Sequence, residues 1–459
     1  MGLAAGSSSY FIFVAAVFFV YWLAPQTRLV RLAIILLANY YFCARYGLFY
    51  IALIPACSTI DFLVGLGLMR SRGTLARRLL ISVSVAVNLG LLMGSRHMGS
   101  MVNLHGFAWV FPLGLSFYTF QALTYTLDLY RRDAEGTESL LAYLSAVSFF
   151  PTLQAGPITR VSELVKQFAA RRPLDRIEGG RALFLIGLGL LKKTVIADML
   201  AGLLVNRVFD TPKLYSGAEA LLAVYAYSLQ LYFDFSGYTD IARGTAQLLG
   251  IRLPINFDRP YRSSNLTEFW RRWHISFSNW LRDYLYFALP GKRTKLMPYL
   301  NLVITMVLGG LWHGLTWTFA IWGLLHGAAL AITRWYLSRR GRTRPPVNPW
   351  RHALAVFGTY QFVCLTWIFF RAASVSNAVE ILGRIASLTA GFENVNDVFM
   401  FTMLLGAATF FVPKTWYTAA LERFAACPFY VHAAALTAVA VILHYAGAGG
   451  NAAFVYSRF

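Results

Sequence analysis

Long apolar runs alternate with short basic segments over almost the whole chain. A helix needs about 20 apolar residues to cross a membrane. Runs near that length fall at 10–25, 29–49, 50–69, 79–95, 107–129, 194–209, 219–249, 352–372, 399–413 and 430–448, and 297–337 holds two further segments that form a pair. Two shorter runs, Leu140 to Leu153 and Ala182 to Leu191, read as re-entrant or interfacial, and Pro151, Gly156 and Pro157 break the first. Irregular backbone at membrane depth must be buried in protein or line a wet cavity. The pattern predicts an all-α polytopic protein with one membrane domain over 1–459, in which 446–459 forms a tail beyond the last span.

One stretch departs from the spanning pattern. Placed on a helix at about 100° per residue, residues 266–286 gather Phe269, Trp270, Trp273, Phe277, Trp280, Leu281 and Tyr284 on one face, with Glu268, Arg271, Arg272, Asn279, Arg282 and Asp283 opposite. His274 falls at the edge of the apolar face, and Asn265 with Glu268 three residues later predicts an N-cap with a capping box. A membrane-surface helix with Trp at headgroup depth fits this stretch equally well.

The chain has 459 residues, 58% of them hydrophobic and 13% charged, too apolar for a soluble protein and too long for one span. A net charge of +21 would suit nucleic acid, but the cations lie in short segments between apolar runs, as the positive-inside rule requires, so nucleic acid is rejected. Those segments are Arg28 and Arg31, Arg70 to Arg78, 131–181, 252–295, 334–351, and Lys414 with Arg423. All fall on one side if the spans alternate, which makes that side cytoplasmic and places the N-terminus, the 373–398 loop and the C-terminus outside. Met1 to Ser9 carries no Lys or Arg before the run Tyr10 to Ala24, so that run reads as a retained helix. Cys43, Cys57, Cys364 and Cys427 form no Cys-x-x-Cys pair and read as small buried hydrophobes.

His313 carries the sharper chemical signal. An ionisable group within Leu302 to Leu325 is costly in lipid and faces a cavity or a partner, and glycines on both sides permit close approach. A satisfied structural histidine is the alternative. His326 lies 13 residues on, about 220° round a continuous helix, so the two would face different ways. Asp234, Ser236 and Asp240, along the 219–249 run, could bind substrate or orient the histidines, or else cap loops and pair with arginines. No His-Glu-x-x-His or tight His and carboxylate cluster indicates a metal.

Phe269-Trp270-Arg271-Arg272-Trp273-His274-Ile275-Ser276 and Trp312-His313-Gly314 resemble signatures of the membrane-bound O-acyltransferases. The likeness extends to Phe150 to Pro157, Leu191 to Asp198 and Tyr232 to Asp240. It points to the bacterial branch serving alginate O-acetylation and teichoic acid D-alanylation. The resemblance implies a helical fold with re-entrant and interfacial helices around a central tunnel. It also implies a catalytic role for His313, substrate contact at the neighbouring Trp312, and an accessory role for His274.

Acyl transfer from a thioester to a hydroxyl needs a base, oxyanion stabilisation and exclusion of water. The expected donor is acetyl-CoA, used as a substrate rather than a tightly bound cofactor. Arg271, Arg272 and Arg282 would attract its phosphates, unless they serve only topology and lipid contact. The chain has no Gly-x-Ser-x-Gly or Gly-Asp-Ser nucleophile. The resemblance therefore implies a periplasmic or secreted esterase-like acetyltransferase partner that finishes transfer to a polysaccharide. Phe454-Val455-Tyr456-Ser457-Arg458-Phe459 resembles a C-terminal motif of this branch in which the tyrosine is proposed to carry the acyl group, and an aromatic interface anchor is the alternative. The expectation is a multi-pass O-acetyltransferase of the bacterial inner membrane acting on an exopolysaccharide such as alginate. A transporter or flippase, or the same fold acylating a lipid, peptidoglycan or teichoic acid, are the rivals.

Overall fold

The computed structural model describes residues 7–47, 49–101, 114–153, 156–170, 172–291, 294–339 and 348–446, and every regular element among them is helical. In chain order these are α1 (Ser8–Leu23), α2 (Arg28–Ala44), α3 (Phe49–Arg70), α4 (Thr74–Met101), α5 (Leu115–Arg131), α6 (Leu140–Val147), α7 (Phe150–Leu153), α8 (Val161–Ala169) and α9 (Arg176–Leu191). Wider π-helical turns over Lys192–Asp198 and Ala201–Val205 lead into α10 (Asn206–Asp210) and then α11 (Gly217–Leu248). After these come α12 (Leu266–Arg272), α13 (Ile275–Trp280), α14 (Met297–His313), α15 (Trp317–Arg339) and α16 (Pro349–Arg371). The last four are α17 (Val375–Ala386), α18 (Asp397–Thr409), α19 (Lys414–Ala426) and α20 (Phe429–Ala446). Ser7, Thr27, Ser139, Asn265, Asn348, Ser374 and Asn396 each accept a first-turn backbone N–H, so short polar side chains set many of the helix starts.

Among the described residues, Tyr50–Arg70, Thr74–Gly94 and Pro349–Arg371 are long and apolar enough to cross a membrane, and α18 with α19, bent by 95°, has the length and composition of a broken span or a re-entrant loop. α1 and α20 are shorter apolar helices. The predicted pair in 297–337 is α14 with α15, and the break in 140–153 falls between α6 and α7. Four expectations change. Residues 266–286 are not one helix: left-handed backbone at His274 separates α12 from α13, and a π-helical stretch, Leu281–Tyr286, follows. The run 182–191 is no separate segment but the second half of α9. The 373–398 loop contains α17, an amphipathic helix capped by Ser374. Glu268 completes the predicted cap one residue early, accepting from the Ser264 N–H at 2.8 Å while its own N–H donates to Asn265 Oδ1 at 2.9 Å.

The chain divides into two compact units, one of 1–186, 238–254 and 422–428 and the other of 187–237, 255–421 and 429–459. In the first, Arg77 joins two helix ends. Its guanidinium donates to Leu68 O at 2.5 Å and Ser71 O at 3.2 Å beside the end of α3, and to Leu129 O and Tyr130 O, both at 2.8 Å, at the end of α5. These are carbonyls that a helix C-terminus leaves without intrahelical donors. Deeper in the same unit Asp61 accepts from Ser84 Oγ at 2.6 Å and Asn88 Nδ2 at 2.8 Å.

In the second unit, Lys193 holds two carboxylates, the half-buried Asp198 at 2.6 Å and the buried Asp234 at 2.8 Å. The α14–α15 hairpin turns at Gly314, whose backbone is extended, and glycine brings its two helices together. A Cβ at Gly310 would strike the Phe319 carbonyl, at Gly323 the Met306 carbonyl, and at Gly327 the Val303 Cα at 2.6 Å. Gly323→Ala should therefore force the helices apart, at an overpacking cost of about 1–3 kcal/mol. Gly358→Ala, whose added methyl meets open space, should be neutral or mildly stabilising. Thermal unfolding midpoints in detergent check the contrast, and equal midpoints for the two variants would remove the close-approach argument.

Candidate active site

His313 is the last residue of α14 and only 4% exposed. Aromatic rings enclose its imidazole, with centroids at 4.8 Å for Trp312, 4.9 Å for Phe370, 5.5 Å for Trp322, 5.7 Å for Phe277 and 5.9 Å for Phe319. The flanking glycine pair makes this enclosure possible: Gly309 lies against Leu281 and Phe277, and Gly310 against the Phe319 backbone.

His274, 1% exposed, sits at the break between α12 and α13 with φ 42° and ψ 55°, a left-handed conformation that is costly outside glycine. The Phe235 ring from α11 meets it edge-on at 4.6 Å, and Phe277 stacks on it at 4.9 Å. Phe277 also stacks on Trp312 at 4.7 Å, so one phenylalanine touches both His274 and His313. Nδ1 of His274 lies 3.2 Å from Asn256 Oδ1. Burial pulls its pKa from the ordinary 6.5 down to about 3, so the ring is neutral at physiological pH.

His326 is also fully buried, but both of its nitrogens are engaged. Trp270 Nε1–H donates to Nδ1 at 3.3 Å, which leaves Nε2 as the protonated nitrogen, donating to Thr366 Oγ1 at 2.9 Å. Thr366 passes its own hydrogen to Val363 O at 2.8 Å. That chain of donors and acceptors is complete, and His326 is a structural histidine. The expectation that His313 and His326 face different ways on a continuous helix does not hold. Gly314 ends α14, the chain reverses into α15, and Trp322 touches both imidazoles, at 5.5 Å and 4.9 Å.

The sequence profile of MBOAT, the membrane-bound O-acyltransferase family, matches residues 132–376, a span holding both His274 and His313. The chain belongs to this family. A probable alginate O-acetylase of Azotobacter vinelandii is 38% identical over 391 residues, covering 81% of this chain and 76% of the relative. A peptidoglycan O-acetyltransferase of Helicobacter pylori is 34% identical, covering 77% and 73%. A teichoic acid D-alanyltransferase of Streptococcus thermophilus is 31% identical, covering 56% and 68%. The protein is therefore a multi-pass membrane O-acyltransferase, and the transporter reading falls away.

Within this MBOAT chain the predicted site residues separate. His313, Trp312 and His274 come together around Phe277. Asp234 is ion-paired with Lys193, and Ser236 is buried on the same helix. It is Phe235 between them that reaches His274. Asp240 belongs to the other unit, where it pairs with Arg243 at 3.3 Å. Arg271 is exposed, Arg272 binds Glu268 at 2.7 Å, and Arg282 binds Asp283 at 2.8 Å. Tyr456 and its motif lie outside the described residues. The sequence reading missed Asn256, Phe235, Phe370 and Trp322. Asn256 carried one faint signal, an amide between Ile255 and Phe257 in a stretch without helical period.

His274 should make stability depend on pH. It is held near 3 when folded and returns to about 6.5 when unfolded, so its contribution is complete above pH 6.5 and is lost as pH falls toward 3. At pH 4.5 the unfolded chain gains about 2–3 kcal/mol relative to pH 7 from this group. His274→Asn, a residue that tolerates left-handed backbone, should lose less unfolding temperature than wild type between pH 7 and 4.5. Identical losses would contradict a buried neutral imidazole.

Proposed function

We propose that this O-acyltransferase takes an acetyl group from acetyl-CoA on the cytoplasmic side and passes it outward for O-acetylation of an exopolysaccharide of the alginate type. The observation that carries the chemistry is the pair of buried imidazoles, His313 and His274, both in ring contact with Phe277. The alginate and peptidoglycan O-acetylating relatives support acetyl as the group and a cell-surface glycan as its destination. Basic segments on the cytoplasmic side, and an outward C-terminus, complete the arrangement.

In this reading His313 accepts the proton of an attacking hydroxyl. The new oxygen–carbon bond forms at the thioester carbonyl, the carbon–sulfur bond breaks, and the thiolate leaves to collect that proton. Aromatic walls keep water from competing for the acyl group. Trp312 lines the acyl position, and His274 assists from across Phe277. Arg271, Arg272 and Arg282 draw the donor's phosphates toward the entrance, while Asp234, Ser236 and Asp240 support the helix carrying Phe235. The hydroxyl that attacks is the phenol of Tyr456, which carries the acetyl group to an extracytoplasmic esterase-like partner.

His313→Ala should lower acetyl transfer by at least about a hundredfold with protein level and membrane insertion unchanged, and His274→Ala should do less. Near wild-type glycan acetylation in cells carrying His313→Ala would remove the base assignment. Tyr456→Phe keeps the ring and its interface preference but deletes the nucleophile. It should stop glycan acetylation while leaving the protein in the membrane, and normal acetylation would make the tail an anchor only. Analysis of which glycan loses O-acetyl groups in the His313→Ala strain separates an exopolysaccharide from peptidoglycan.

A further inference from the structure

We propose that Asn256 is a positioning residue for acyl transfer, its side-chain carbonyl oxygen holding His274 as the Nδ1–H tautomer and so making Nε2 the nitrogen that accepts a hydrogen bond or a proton. The inference rests on the reading above, in which His274 assists the reaction.

Hydrogen-bond logic fixes the tautomer. Asn256 Oδ1 receives the Ser276 backbone N–H at 3.1 Å and the Ser276 hydroxyl at 3.0 Å. A backbone N–H can only donate, so the amide cannot be turned to present its NH2 there. The His274 ring nitrogen at 3.2 Å from the same oxygen must also donate. The neutral ring then carries its lone pair on Nε2. His326 is built the other way, with Nδ1 as acceptor and Nε2 as donor.

The backbone keeps Asn256 in register with the histidine. Ile275 N–H donates to Asn256 O at 2.9 Å, and Asp258 N–H donates to Arg272 O at 3.0 Å. These bonds bridge the left-handed turn at His274, a conformation that costs about 1–3 kcal/mol. Charged groups on the surrounding elements are engaged elsewhere: Asp258 with Arg259 and Lys414, Arg272 with Glu268, and Asp234 with Lys193. A further titratable neighbour is His313, which also contacts Phe277. His274 thus takes its orientation from a neutral amide. A carboxylate in that place would stabilise an imidazolium, whereas an amide orients the ring and leaves it a weak base, which suits an assisting role beside His313.

The test is nitrogen NMR of the full chain, labelled with 15N-histidine, in detergent micelles, with the His274 signals identified by their loss in His274→Asn. Wild type should show the Nδ1–H tautomer, and Asn256→Ala should lose it. In turnover of acetyl-CoA, Asn256→Ala should fall about tenfold to a hundredfold in kcat with little change in KM for the donor. Asn256→Asp should move the acid limb of the kcat profile upward by at least about one pH unit. A merely structural asparagine would move neither tautomer nor acid limb. An Nε2–H tautomer in wild type, or a wild-type acid limb in Asn256→Asp, overturns the proposal. If the Asn256 variants fail to insert, the wild-type spectrum still decides the tautomer. Wild-type turnover in His274→Asn would instead overturn the underlying role of His274, whatever its tautomer.

Discussion

The close approach of α14 and α15 is the constraint on which the site depends. Backbones can meet at this distance only where no Cβ intervenes, and Gly310, Gly323 and Gly327 supply those positions. Once the helices meet, Trp322, which already touches His326 on its own helix, reaches His313. Phe370 from α16 then meets His313, and Phe277 from α13 covers it from another direction. The aromatic wall is thus a product of glycine spacing as much as of aromatic content. In lipid, where apolar side chains gain little by leaving the solvent, such backbone proximity and ring contact are the terms that hold helices together.

Three imidazoles, those of His274, His313 and His326, lie among these rings, and their neighbours give them different chemistry. His326 is fixed by an indole donor and a threonine acceptor, so neither nitrogen is available for proton transfer. His274 faces an amide oxygen already shared with two donors of Ser276. His313 meets rings on several sides and closes its helix at a glycine turn. Residue type alone does not separate these cases. The hydrogen-bond character of the nearest polar atom does.

Much of this was legible in the sequence, in proportion to how local the physics is. The α14–α15 pair and the cap at Asn265 follow from apolar length and side-chain capping. Trp312-His313-Gly314 announced itself as polarity inside an apolar run. The break at His274 was not legible, because the periodicity of 266–286 is that of an unbroken helix. The left-handed residue hydrogen-bonds to Asn256, 18 positions upstream. The ion pair of Asp234 was not legible for a similar reason, since its partner Lys193 lies far back in the chain.

Arg77 illustrates a last point, about time. In the unfolded chain it is one cation in the cluster from Arg70 to Arg78, and such a cluster steers topology while flanking helices insert. In the folded chain the same guanidinium is buried and divided among four carbonyls at the ends of α3 and α5. The two duties cannot coincide, since the carbonyl cradle exists only after both helices are in place. Lysine in its position would serve the first duty equally well. With three donors on a single nitrogen in place of a planar fork, it could not satisfy the second. Replacing Arg77 by Lys would therefore leave insertion intact and weaken only the later joining of helix ends, which separates the two stages of assembly within one side chain.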